Sequence, residues 1–295
     1  MTASHSRAPS RLRYVFLAEI RKLAAPVVLA AFAVAAVVAL IASGLGYQRA
    51  VSTFQDNGLA AGMDSWPGAV VLALRHLGTL VGLLAAVGAG VGVAGGEFEN
   101  GTWGLLLLRQ PRIRRLLAVK FATAVAVVGV LAVVLVLLLR TEGLALGWHY
   151  RAHPARLATS ASISPTWDPH TPSWGQAANT LGNVLLIVLV YVAGGMAAAV
   201  VLRGVVQGAA VALGVPIVFE PLVLIHPLVP YLPSTWIAGW LHLANRDQYQ
   251  TYLWNSAPSH ARSALDGCLL AALGLLCTVA TFVAATRDRI THTSD

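Results

Sequence analysis

Six apolar stretches, each about as long as a bilayer is thick, constrain the fold of this chain more than any other feature. They lie at residues 24–46, 69–94, 116–139, 177–202, 208–228 and 264–286. A helix that crosses a bilayer needs about 20 mostly apolar residues. Only 11% of the 295 residues are charged and 57% are hydrophobic, whereas a soluble domain carries about 25% charge. The sequence therefore predicts an all-α integral membrane protein with six transmembrane helices.

The basic residues predict the orientation of these spans. If the N-terminus is inside, thirteen of the twenty Lys and Arg residues lie on inner segments, and six lie on the longer outer loops. The positive-inside rule then places both termini in the cytoplasm. The basic residues behind the net charge of +8 lie next to the apolar spans. There they are expected to set the topology and to contact lipid headgroups rather than to bind nucleic acid. The predicted organisation is a tail with an amphipathic helix (1–23), a six-span domain (24–286) and a second cytoplasmic tail (287–295).

The segments between the spans differ in character. Only residues 203–208 separate spans four and five, which predicts a tight helical hairpin. Residues 140–176 are predicted to form an irregular exposed segment. Residues 229–263 are rich in Pro, Trp and Tyr, which favours interfacial or re-entrant helices before the last span. Small residues at four-residue spacing predict close helix contact along the second span. They are Gly78, Gly82, Gly88, Gly92 and Gly96.

No catalytic or metal site is predicted. A phosphate-binding loop needs Gly-Lys before Ser or Thr, and the two lysines, Lys22 and Lys120, follow Arg21 and Val119. His149 and His153 are four residues apart and would share a metal only if helical and joined by further ligands. They are interpreted as ordinary exposed histidines.

The segment between spans two and three is the most informative part of the chain. Glu97 and Glu99 lie at a membrane exit, Gly101 and Thr102 follow, and an apolar turn from Trp103 to Leu108 precedes Pro111 and several arginines. Thr102 is a candidate cap for that turn. The turn is too short to span a bilayer and too apolar for a solvated loop, so it is expected to dock on another surface.

The order of residues in this segment resembles the motif of ABC-2 type transporter permeases: Glu-x-x-x-Gly-Thr, an apolar turn, Pro-x-x-Arg, and Lys six residues later. The matching positions are Glu97, Gly101, Thr102, Pro111, Arg114 and Lys120. The family similarly has six spans, a cytoplasmic amphipathic N-terminal helix and a long interfacial excursion before the last span. The resemblance thus extends over nearly the whole chain, although only this motif is specific.

The resemblance implies the membrane subunit of a bacterial ABC exporter in the cytoplasmic membrane. Such a permease forms a homodimer or heterodimer and engages two copies of a separate ABC ATPase, which binds ATP and Mg²⁺. This chain would bind no cofactor itself and would not be an enzyme. In such families a coupling helix between spans two and three is seated in a groove of the ATPase. The resemblance therefore assigns coupling to Glu97, Glu99, Gly101, Thr102, Trp103, Pro111, Arg114 and Lys120. Drug, antibiotic and peptide efflux are common among similar proteins, and the apolar spans fit an amphiphilic or lipid-like cargo.

Residues 11–23 form a second candidate contact. On a helix, their apolar side chains make one stripe, and Glu19 falls inside it. Two interpretations stay open. The segment is either a simple interfacial anchor or a helix whose Glu19 meets the ATPase, as in similar transporters.

Ionisable residues inside the spans are costly and indicate function. Arg75 and His76 in span two and Glu220 in span five lie at similar depths below the outer surface. One hypothesis is a buried Arg75–Glu220 pair that lines or locks the outer half of a pathway. The alternative is that Arg75 extends outward to the interface while Glu220 sits at a helix break made by Pro216 and Pro221.

Two other functions compete with ATP-driven export. An ATP-independent secondary transporter or assembly factor would need a coupling carboxylate within the spans, and Glu220 is the only candidate. A membrane enzyme would use the outer histidines, His149 and His153.

Overall fold

The architecture of the described residues is a bundle of long helices with several short helices between them. A computed structural model describes residues 26–53, 61–109, 113–152, 172–241, 248–249, 257–258 and 263–293. The α-helices are α1 (Pro26–Thr53), α2 (Trp66–Leu77), α3 (Leu80–Glu99), α4 (Trp103–Arg109), α5 (Ile113–Ala152), α6 (Trp174–Leu202), α7 (Val205–Phe219), α8 (Pro233–Trp240) and α9 (Ser263–Thr293). Three 3₁₀ helices occupy Ala61–Asp64, Glu220–Leu224 and His226–Tyr231, and β1 (Gln248–Tyr249) pairs antiparallel with β2 (Ala257–Pro258).

Six helical segments within the described residues are long and apolar enough to cross a membrane. They are Val28–Tyr47, Leu80–Glu99, Ile113–Trp148, Trp174–Leu202, Val205–Leu222 and Ser263–Arg287. The predicted all-α fold with six spans is confirmed, and the chain is a multi-pass membrane protein. The predicted N-terminal amphipathic helix, residues 11–23, lies outside the described residues.

Two predicted span boundaries are wrong. The stretch predicted as one span at 69–94 is two helices, because α2 ends at Leu77 and α3 begins at Leu80. Gly78 caps α2, and its backbone N–H donates to the carbonyls of Leu74 and Arg75. The third span is longer than predicted, since α5 continues to Ala152. Residues 140–152 are therefore helical rather than the beginning of an irregular loop.

Helices α3 and α6 form the centre of the bundle. About two thirds or more of their spanning segments is buried (72% and 67%), compared with 11% for the segment containing α7 and 17% for that of α9. Two glycines bring α3 and α6 together. A Cβ on Gly90 would lie 2.5 Å from the carbonyl oxygen of Val192, and one on Gly195 would lie 2.6 Å from that of Val87. Glycine thus permits close backbone approach from both sides.

Gly88 and Gly96 of the predicted glycine series do not make this α3–α6 contact. A Cβ on Gly96 would have no described atom within 4 Å, and one on Gly88 would make an ordinary 3.7 Å contact with Ala31 of α1. Close packing against α6 falls instead to Gly90, which lies between the members of that series. Within the predicted series, a Cβ on Gly78 would lie 2.5 Å from the Leu241 side chain, so close contact is found there and not at Gly88 or Gly96.

The connections of α7 agree with the sequence prediction. Arg203 and Gly204 alone separate α6 from α7, which confirms the tight hairpin. At its other end α7 continues through Pro216 to Phe219 and then changes to a 3₁₀ helix that begins at Glu220. Short helices follow before the last span, as the prolines and aromatic residues of this region predicted.

Candidate functional site

A Schellman motif ends α3 and sets the direction of the segment that follows. Gly101 has φ +63°, a left-handed conformation that glycine adopts without steric cost. The Gly101 N–H donates to the Phe98 carbonyl at 3.1 Å, and the Thr102 N–H donates to the Glu97 carbonyl at 2.9 Å. These two bonds define the motif. The turn itself therefore favours glycine at position 101.

Thr102 begins α4 through its backbone rather than through its side chain. Its carbonyl accepts the Leu106 N–H at 3.0 Å, as the carbonyl of a helix cap does. Its hydroxyl donates to the Glu97 carbonyl at 3.4 Å. The prediction that the Thr102 side chain caps α4 is therefore wrong, because the hydroxyl donates to a carbonyl of α3 instead.

A buried ion pair lies directly beneath this turn. The Lys120 Nζ is 2.5 Å from Glu97 Oε1, and it also donates to the Val93 carbonyl at 2.5 Å. The two side chains are 0% and 3% exposed, respectively. The pair joins α3 to α5 in a region that excludes water. Glu97 and Lys120 thus hold the element in place, and neither lies on its outer surface.

Helix α4 is anchored by one side chain and exposes another. Trp103 is 4% exposed, and its ring stacks on Phe98 with centroids 4.5 Å apart and planes at 26°. Leu105 points away from the bundle and is 59% exposed. The docking surface predicted for the whole apolar turn therefore does not include Trp103, which packs inside the chain.

Glu99 ties α3 to the beginning of α7. Its Oε1 accepts the backbone N–H groups of Val205, at 2.8 Å, and Val206, at 3.4 Å. The first N–H groups of a helix lack partners within the helix, and the helix dipole favours negative charge there. Glu99 therefore caps α7 across 106 residues of sequence.

The remaining residues of the motif are only partly described. Arg114, at the beginning of α5, is exposed, and its guanidinium carbon lies 5.3 Å from the centre of the Phe282 ring on α9. This is cation–π distance, and it ties α9 to the same end of the bundle. We call this region, where α4, the beginning of α7 and Phe282 lie, the α4 end. Pro111 and Glu19 lie outside the described residues.

The predicted pair of Arg75 and Glu220 is not formed in this structure. Glu220 is 1% exposed, and neither of its carboxyl oxygens has a hydrogen-bond partner among the described residues. It lies where α7 changes to a 3₁₀ helix before Pro221, as the alternative interpretation proposed. His76 instead meets Ser43, with 2.7 Å between Nε2 and Oγ. Ser43 lies in the first apolar span, and no sequence signal pointed to it.

No metal centre accompanies these groups. Within the part of the chain that the structure describes, no three His, Cys, Asp or Glu residues lie close enough together to hold an ion. The side chain of His149 and all of His153 lie outside that part, so the enzyme hypothesis stays a hypothesis. In comparisons with known proteins, no family model, no curated protein and no solved structure matches this chain.

Proposed function

We propose that this chain is the membrane subunit of an ATP-driven exporter of the ABC-2 permease type. It would work as a dimer with two copies of a cytosolic ABC ATPase in the bacterial cytoplasmic membrane. The observation that carries the proposal is α4, a short helix that exposes Leu105 at the end of a bundle and is held rigidly from beneath. Such a helix suits a partner that pushes or pulls on it.

The contacts around α4 support this mechanical role. Glu97 and Lys120 connect the turn to α5, Glu99 connects it to α7, and the Phe98–Trp103 stack fixes α4 to α3. A force on Leu105 would therefore reach three spanning helices at once. Coupled rigid-body movement of this kind is a common means of switching between two states.

In this proposal the partner subunit carries out the ATP hydrolysis. ATP and Mg²⁺ would bind to the ATPase, and its hydrolytic cycle would drive the movement of α4. The cargo would be a small amphiphile, drug, antibiotic, peptide or lipid-like molecule, since the spans have few charges to hold a sugar or an ion. Export, and the cytoplasmic location of both termini, are part of the same proposal.

Truncation of Leu105 tests the docking surface without disturbing the fold. Leu105→Ala is expected to reduce the amount of co-purified ATPase by about tenfold, because truncating a central apolar contact costs about 1–2 kcal/mol of binding. The measurement is affinity purification from native membranes, with ATPase activity assayed in the eluate. Leu276→Ala is the matched control, since Leu276 is 66% exposed on α9 and lies within a span. Equal ATPase recovery with both variants would refute the docking role of α4. Trp103→Ala is a poorer test, because Trp103 is buried and its loss would also destabilise the chain.

Glu220 supplies the specific observation behind the competing function. A buried carboxyl group without a hydrogen-bond partner is costly and would serve an ATP-independent, proton- or ion-coupled transporter. If the exporter proposal holds, Glu220→Gln is expected to leave ATP-dependent cargo uptake into inverted vesicles within about twofold of the parent, since the amide has the same shape and size as the carboxyl group and the proposal gives this group no proton to carry. Uptake that persists without ATP, follows a proton gradient and is abolished by Glu220→Gln would favour the competing function instead.

A further inference from the structure

A cavity opens between the last turns of α6 and the C-terminal half of α9, and none of the contacts described above lies among its lining residues. Its volume is about 370 Å³. Its walls are apolar and comprise Val200, Val201, Ala280, Val283 and Ala284. Its polar lining consists of two exposed cations, Arg203 and Arg287. The apolar parts of this lining belong to spanning segments that end at Leu202 and Arg287, so the cavity lies where the apolar bundle meets the polar interface.

The backbone at Arg203 is unusual. Arg203 is the C-cap of α6 and adopts φ 56°, and it is the one non-glycine residue with positive φ among those described. Glycine or asparagine is the common residue at such a left-handed position. An L side chain pays a conformational cost there, and strain of this kind concentrates at functional sites. Arg203 lines the cavity, so this position supplies a cation where glycine would supply none.

The chemistry of the lining matches one class of ligand. Two guanidinium groups suit a phosphate, because each presents planar N–H donors to its oxygens. The valine walls suit a hydrocarbon chain, and Val201 and Val283 are 55% and 41% exposed, so a chain can lie against them. Basic pockets between helices at the membrane interface bind anionic lipid headgroups.

We infer that this cavity is a binding site for an anionic phospholipid. The phosphate lies between Arg203 and Arg287, and an acyl chain lies along the apolar wall. A free phosphate ion would leave the valines uncovered, and a zwitterionic lipid would present its own cation to the two arginines. The site does not depend on the proposed function, because its walls belong to α6 and α9 and its two charges to the C-cap of α6 and to α9.

The site is also connected to α4. Arg203 is followed by Gly204 and Val205, and the Val205 N–H is the group that Glu99 caps. A lipid bound at Arg203 would therefore stiffen the α6–α7 hairpin on which the end of α3 rests. Lipid composition would then influence how firmly the α4 end is held.

The test uses the purified full-length chain in detergent and native mass spectrometry with added lipid. Phosphatidylglycerol is expected to bind about tenfold more tightly than phosphatidylcholine. The double variant Arg203→Asn/Arg287→Gln is expected to lose about tenfold in phosphatidylglycerol affinity, because it removes both guanidinium donors to the phosphate. Asparagine is chosen at position 203 because it adopts the left-handed backbone conformation readily. Arg115→Gln is the matched control, because Arg115 is exposed at the beginning of α5 and does not line the cavity.

A second variant keeps both arginines and fills the space. Ala280→Trp places an indole against the apolar wall and is expected to weaken phosphatidylglycerol binding as much as the double variant does. Three outcomes overturn the inference. They are equal affinity for the two lipids, unchanged binding in both the Arg203→Asn/Arg287→Gln and Ala280→Trp variants, and displacement of the lipid by millimolar inorganic phosphate, which would indicate a site for a free anion.

Discussion

Replacing Lys120 with methionine is expected to lower the free energy of unfolding by about 3–5 kcal/mol, the usual cost of removing one partner of a buried ion pair. The variant leaves the Glu97 carboxylate without the cation that lies 2.5 Å from it. It also removes the donor to the Val93 carbonyl. Both losses occur where the side chains are shielded from water, so no solvent compensates for them.

The partner substitutions separate the ion pair from simple packing. Glu97→Leu alone is expected to destabilise the chain by a similar amount, because it leaves the lysine charge buried. Combining Glu97→Leu with Lys120→Met is expected to recover most of the stability, since a well-packed apolar pair is often as stable as a buried ion pair.

The measurement is unfolding in mixed micelles, followed by tryptophan fluorescence. Arg115→Met is the control, because it removes a cation that is exposed and should change stability by no more than about 0.5 kcal/mol. A double variant no more stable than Lys120→Met would show that the two charges do not stabilise each other. In that case the turn before α4 would have to be held by its backbone bonds, the Glu99 cap and the Phe98–Trp103 stack.

The ion pair also shows what could and could not be predicted from the sequence. Glu97 and Glu99 look alike in sequence, two acidic residues at the end of an apolar stretch. Two residues along a helix, their side chains point about 160° apart. One meets Lys120 on α5, and the other meets the N-terminus of α7, 106 residues away. Helical geometry separates the two side chains, but their partners depend on how the helices pack.

The broad architecture was predictable because it depends on length and polarity alone. Six apolar stretches became six spanning segments, and the few residues between spans four and five became a hairpin. The break at Gly78 was not predictable on that basis, since glycine inside an apolar stretch looks the same whether it packs or ends a helix. The Arg75–Glu220 hypothesis failed for a related reason. Depth along the membrane normal is one coordinate, and two residues at equal depth can still lie on different sides of a bundle.

Two neighbouring glycines on α6 are expected to respond to alanine with opposite signs. Gly195→Ala should lower the free energy of unfolding by about 1–3 kcal/mol, the cost of overpacking a core. Its new methyl group would lie 2.6 Å from the Val87 carbonyl oxygen and 3.1 Å from the Val87 Cα. These are backbone atoms of α3, so the clash cannot be relieved by rotating a side chain. The two central helices would have to move apart.

Gly194→Ala should have the reverse effect. A Cβ at that position meets no described atom within 4 Å, and alanine is favoured over glycine inside a helix by about 0.5–1 kcal/mol. The same substitution, one residue along the same helix, therefore isolates the close approach from helix propensity and from any general effect of losing a glycine. The comparison uses the mixed-micelle unfolding assay described for Lys120. Equal destabilisation by both variants would mean that the α3–α6 contact is looser than this structure has it, with Gly90 and Gly195 no longer setting the distance between the helices.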